Sequence, residues 1–78
     1  MTNELTNRQM EIMDLVVKGY RNHEIAKELY ISLQTVKNHL NNVYGFLNSY
    51  NRVDATIKYM RYINKRIRKL ESTRSLFM

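Results

Sequence analysis

The sequence predicts an all-α domain of four helices, and three observations carry that reading. There is no proline, and there are only two glycines in 78 residues. Apolar residues recur at three- and four-residue steps, the period of one face of a helix rather than the alternation of a strand. Residues that cap helix starts (Thr6, Asn22, Ser32, Asn51) stand immediately before the periodic runs. A chain of this length makes one domain, residues 1–78, and buries only about 60% of its unfolded surface. With no cysteine, neither a disulfide framework nor a thiolate metal site can add stability. Dimerisation is the expected supplement.

The first helix is predicted at 7–18. Leu5-Thr6-Asn7-Arg8-Gln9-Met10 carries a full start signature: Thr6 is the cap, Gln9 its reciprocal capping-box partner, and Leu5 with Met10 a hydrophobic staple. Met10, Met13, Leu15, Val16 and Val17 are its expected buried residues, and Gly19 stands where a left-handed residue ends a helix. The second helix, 22–29, places Ile25, Ala26 and Leu29 on one face, with Asn22 as its expected cap.

After a corner at Tyr30 and Ile31, Ser32 caps the third helix, 33–47. Its hydroxyl can accept from the Thr35 N–H, and Ile31 and Val36 are spaced as a staple. Leu33, Val36, Leu40, Val43, Tyr44 and Leu47 form the predicted inward stripe. The opposite face carries Gln34, Thr35, Lys37, Asn38, His39, Asn41 and Asn42. Gly45 lowers helix stability by about 1 kcal/mol relative to Ala and predicts an end or bend there. Asn48 to Asn51 read as a polar turn. Asn51 caps a long fourth helix, 52–70, with Asp54 in its first turn. Its stripe (Val53, Thr56 or Ile57, Met60, Ile63, Ile67, Leu70) exceeds what a three-helix core can cover, so the surplus needs another surface. Residues 1–4 and 72–78 carry no predicted element.

Charge is uneven along the chain. Residues 1–51 hold five Lys/Arg against five acids, whereas 52–78 hold eight against two, which accounts for the whole net charge of +6. Between Leu29 and Tyr50 the single charge is Lys37. An acid-free, amide-rich helix face suits donation to phosphates and base edges. Lys can donate to guanine O6 and N7, and Asn can pair bidentately with adenine, so Lys37 and Asn38 lead as base readers, followed by Asn41 and Gln34.

Several classes are disfavoured. No run of about eighteen apolar residues could span a membrane, and the N-terminus lacks the basic and apolar regions of a secretory signal, so a cytoplasmic location is expected. Two histidines, His23 and His39, on separate helices and without cysteine, fall short of a metal site. Glu24 and Glu28, flanked by Lys27, read as a charged outer face. Nothing points to an enzyme or a cofactor. The basic run Lys65-Arg66-x-Arg68-Lys69 fits two readings: a complement to the helix dipole, or an added contact to phosphate or to an acidic protein.

These residues resemble the LuxR-type (GerE-like) helix-turn-helix domain. The likeness runs through Leu5-Thr6-x-Arg8-x-x-Glu11-Ile12, Gly19, Asn22-x-Glu24-Ile25-Ala26-x-x-Leu29, Ile31-Ser32-x-x-Thr35-Val36-Lys37-x-His39, Leu47 and Asn51-Arg52-x-x-Ala55. It covers roughly residues 5–57 without a gap. The resemblance implies transcription regulation, a third helix in the major groove of double-stranded DNA, and a fourth forming a two-fold dimer interface. It implies base contacts by Lys37, Asn38 and Asn41, and backbone contacts near Asn22, Ser32, Thr35 and His39. Arg52 joins the backbone group, and Val53, Ile57, Met60, Ile63 and Ile67 form the expected dimer seam. Gln9, Gly45-Phe46 and Asn48-Ser49 depart from the family pattern.

Two functions therefore compete. One is a homodimeric, sequence-specific regulator reading an inverted repeat. The other is a small adaptor or antagonist that binds a larger regulatory protein through its fourth helix. A sigma-region-like helix-turn-helix shares Ser-x-x-Thr-Val-Lys, but the Asn51-Arg52-x-x-Ala55 helix start argues against it. Four residues before Leu5 hold no receiver or sensing domain, so control by abundance or by a partner is the expectation.

Overall fold

A computed structural model describes residues 4–76, with side chains described for 4–69. Four helices follow in order: α1 (Asn7–Val17), α2 (Asn22–Leu29), α3 (Leu33–Leu47) and α4 (Arg52–Leu76). α3 is the central element, and α1, α2 and α4 all pack on it. Ile12, Met13, Ile25, Val36 and Val43 are the largest fully buried side chains, each contributing about 1.5–3 kcal/mol. Leu5, Leu40, Ala55 and Tyr59 close the same core.

The helix starts form much as their sequences predict. Thr6 Oγ1 accepts the Gln9 N–H at 3.1 Å, and Gln9 Oε1 accepts the Thr6 N–H at 2.8 Å. Ser32 Oγ accepts the Thr35 N–H at 3.0 Å. Asn51 Oδ1 accepts the Asp54 N–H at 2.8 Å. The start of α2 differs: Arg21 is its cap residue and Asn22 already lies inside the helix. Arg21 offers no acceptor side chain, and Glu24 Oε1 instead takes the Arg21 N–H at 2.9 Å.

The first three helices end in the same way. A left-handed residue (Gly19, Tyr30 or Asn48, φ 91°, 57° and 55°) follows each. The next N–H then reaches back over the turn, Tyr20 to Leu15 O, Ile31 to Ala26 O and Ser49 to Tyr44 O, at 2.8–3.0 Å. These are Schellman endings, and they satisfy carbonyls that the helix leaves open. A helix can therefore stop and reverse within three or four residues.

Three expectations need correction. Val17 and Leu33 are exposed, while Ile12 is fully buried. Gly45 does not end α3, which runs on to Leu47. α4 extends to Leu76 rather than stopping at 70. The stripe expected on α4 also divides into two faces. Ala55 and Tyr59 are buried, with Tyr62 and Ile63 packed beside them. Val53, Ile57, Met60 and Ile67 face outward. The Leu70 side chain, Phe77 and Met78 lie outside the described residues.

Polar ties fix α4 to the body. Tyr59 donates to Asp14 Oδ1 at 2.6 Å; burial and this carboxylate push the phenol well above its ordinary pKa. Lys58 pairs with Asp54 at 3.0 Å and donates to Asn48 O at 2.7 Å. The Lys58 bond holds the Asp54 carboxyl below its ordinary value.

Four substitutions test this account of stability. A Cβ at Gly45 meets nothing within 4 Å, whereas Gly19 has φ +91°. Gly45→Ala should raise unfolding free energy in urea by about 1 kcal/mol, and Gly19→Ala should lower it by a similar amount. Tyr59→Phe should cost about 1–2 kcal/mol at neutral pH. Because Asp54 is depressed in the fold, its contribution is present above about pH 4 and lost as pH falls through its lower folded value. Lys58→Met should reduce that acid sensitivity in urea melts taken between pH 7 and pH 2.

Candidate nucleic-acid interface

The second half of the helix-turn-helix is built so that one side of α3 is anchored and the other is presented. Val36, Leu40 and Val43 are at most 3% exposed. On the other side, Gln34, Lys37, Asn38, Asn41 and Asn42 are exposed, while Thr35 and His39 are half-buried at its margins. Spacings of three and four residues bring Gln34, Asn38 and Asn41 onto one strip, with Lys37 beside it. Gln34 Nε2 donates to Asn38 Oδ1 at 3.0 Å. That bond orients the Asn38 amide, and the second lone pair on Oδ1 and both Nδ2 hydrogens remain for a base edge.

The margins carry hydroxyls. Ser32 is exposed, and Ser32 Oγ donates to Thr35 Oγ1 at 2.8 Å while accepting the Thr35 N–H. The cap bond and the hydroxyl pair occupy both residues at the point where α3 leaves the corner. Their first effect is to set the angle of α3.

A cleft opens between this helix and the α1–α2 turn. Tyr20, Arg21, Asn22, His23, Lys37 and Arg52 line it, with Gly19 and Leu33. Three of these side chains are cationic and none is acidic. Arg52 Nη1 donates to Asn22 Oδ1 at 2.9 Å, and Nη2 donates to the Tyr20 carbonyl. Asn22 and Arg52 thus hold each other and lock the start of α4 onto the α1–α2 turn. Lys37, predicted to read bases, is one of the residues that line the same cleft. Sequence reasoning missed Tyr20, Arg21, His23 and Leu33 as part of this surface. The run Arg21-Asn22-His23 was a usable signal, since three donors fall on consecutive residues at a helix start.

The residues expected at a dimer seam do not share one surface. Val53, Ile57, Met60 and Ile67 are 72%, 49%, 50% and 46% exposed. Ile63 packs against the chain's own core. Beside them a shallow apolar groove is lined by Val17 with Met60, Ile63 and Asn64, and its wall carries Asp14 and Lys18. Among the described residues, no three His, Cys, Asp or Glu side chains gather as metal ligands. No helix among them is long and apolar enough to cross a membrane.

Comparison with known proteins agrees with this geometry. Residues 3–59 match the profile described as bacterial regulatory proteins, luxR family. The chain is similar to response regulator protein VraR of Staphylococcus aureus (strain Mu3 / ATCC 700698), with 45% identity over 53 residues. Proteins of the same description from Staphylococcus saprophyticus and Staphylococcus epidermidis show the same identity over the same length. In each case the matched segment is 68% of this chain and 25% of the relative. The chain thus spans about a quarter of the length of these relatives. The match over residues 3–59 takes in the four helix starts and the whole helix-turn-helix: the chain belongs to the luxR family of bacterial regulatory proteins, as a helix-turn-helix domain of the DNA-binding kind.

Proposed function

We propose that this domain is a sequence-specific DNA-binding regulator of transcription, acting in the cytoplasm as a homodimer on an inverted repeat. The observation that carries the reading is the outer face of α3. It is exposed, amide-rich and acid-free, and it is held by a buried stripe on its other side. On this reading α3 lies in the major groove. Lys37 donates to guanine, Asn38 pairs with adenine, and Asn41 and Gln34 extend the contact one turn either way. The Thr35 hydroxyl and His39 at the margins, with the backbone N–H of Ser32 and the amide nitrogen of Asn22, meet phosphates. Arg52 acts chiefly by holding Asn22 and the α1–α2 turn in place.

Pairing through α4 would set two recognition helices about 34 Å apart, one helical turn of DNA. Four exposed apolar residues on α4 support that pairing. They also support docking of α4 on a different regulatory protein. Sedimentation of the purified chain, alone and on its selected DNA, separates the two readings, because only the first gives a homodimer.

Selection from a random DNA pool, followed by titration at two salt concentrations, tests the main reading. A palindromic consensus should emerge, bound at least about a thousandfold tighter than scrambled DNA. Within that consensus, Asn38→Ala should relax preference at one base pair per half-site, by about 1–3 kcal/mol. His39→Ala should weaken consensus and scrambled DNA alike and leave the preferred sequence unchanged. Equal weakening of both DNAs by Asn38→Ala would remove Asn38 from the base readers.

A further inference from the structure

The outward face of α4 has a stricter pattern than exposure alone requires. Val53, Ile57, Met60 and Ile67 follow one another at steps of four, three and seven residues. The position that divides the last step into four and three is Asn64, which is exposed and lies beside Met60. Ile63, the apolar neighbour that could have filled the gap, is turned into the body. The seam is therefore Val53, Ile57, Met60, Asn64, Ile67, an alternating 4-3-4-3 repeat over two heptads with one polar residue. Two-stranded coiled coils have this repeat, and a single asparagine within it specifies register and partner number at some cost in stability. The family match ends at residue 59, so Met60, Asn64 and Ile67 lie beyond it.

We propose that Asn64 fixes a parallel, in-register pairing of α4 with α4 of a second copy. The proposal rests on the reading of α4 as the dimer element and names its geometry. In this seam a second Asn64 is the partner whose amide can both donate to and accept from the Asn64 amide. A parallel pair in register brings the two Asn64 side chains together and leaves every other layer apolar.

Charge selects the same orientation. Asn64 also borders a basic groove with Arg61, Lys65 and Arg68. Around Asn64 and Ile67, one flank of the seam is thus basic. The other is the Ile63 side, whose wall carries Asp14 and Lys18, one charge of each sign. Parallel helices set the basic flank of each copy over the charge-balanced flank of the other. Antiparallel helices set basic flank against basic flank. The antiparallel register that joins the two Asn64 residues would also place Met60 opposite Arg68 and Ile67 opposite Arg61.

The chain has no cysteine, so single-cysteine variants report the pairing directly. Ile57→Cys, Met60→Cys and Ile67→Cys should each form a disulfide with itself between chains on mild oxidation. A dimer by sedimentation in which at most one of the three cross-links would overturn the parallel geometry and leave the dimer reading standing. A monomer both alone and on the selected DNA would remove the dimer reading and the proposal with it. Asn64→Leu should tighten self-association by about tenfold or more. In that background, chains carrying Ile57→Cys should also link to chains carrying Ile67→Cys, as antiparallel helices allow. A tighter dimer that keeps only self-links would overturn the role of Asn64 in fixing orientation.

Discussion

Every other part of this domain depends on one demand placed on α3, that it be dry along one side and wet along the other. Val36, Leu40 and Val43 supply the surface on which α1, α2 and α4 pack. A chain this small has no second core to fall back on. The outer side cannot help to stabilise the fold, because amides and a lysine in water contribute little. The energy that holds α3 comes from its buried side together with its ends. Ser32 caps one end and Asn48 turns the other. Anchoring one side this firmly is what allows the opposite side to be chosen for chemistry rather than stability.

Much of this was legible in the sequence because it is written in local rules. Thr6-x-x-Gln9, Ser32-x-x-Thr35 and Asn51-x-x-Asp54 each specify a hydrogen bond within three residues, and all three form. Gly19 marks its own left-handed turn. The misreadings concern positions decided by distant residues. Val17 and Leu33 have the right period for burial but line open grooves, where neighbouring helices cover them only in part. Asn22 looks like a cap, yet Arg52, thirty residues away, takes its amide oxygen, and Arg21 is the cap residue instead. The two faces of α4 are blended in the sequence because a three-four step cannot say which of two adjacent stripes meets the body. Tyr59 and Asp14, and Tyr62 and Phe46, make that choice.

Tyr30 shows a different limit. No propensity rule places tyrosine at a left-handed position, which costs roughly 1–2 kcal/mol without the freedom of glycine. Its side chain is 96% exposed and makes no packing that would offset the strain. The Schellman bond from Ile31 to Ala26 O and the burial of Ile25 and Ala26 on one side and Val36 on the other hold the corner closed regardless. The corner is therefore determined by the two helices it joins, and a poor local residue is tolerated.

The ties on α4 bear on how pairing and DNA binding would combine. On its inner side, Tyr62 accepts from the Leu5 N–H and from Arg66, each at 3.1 Å, and meets the edge of Phe46 at 5.6 Å between ring centroids. Leu5, the end of α3 and the middle of α4 are thus tied together through one side chain. Two subunits joined along α4 would then carry their recognition helices at a fixed separation, with no hinge between seam and reading face. A seam of two heptads offers far less than the roughly 800 Å² per partner of a stable interface, so such a pair is weak on its own. Two half-sites on one DNA raise the effective concentration of the second subunit into the millimolar range. On that reading only half-sites at the matching spacing would gain this advantage, and the ties that hold α4 would add to the specificity proposed for the side chains of α3.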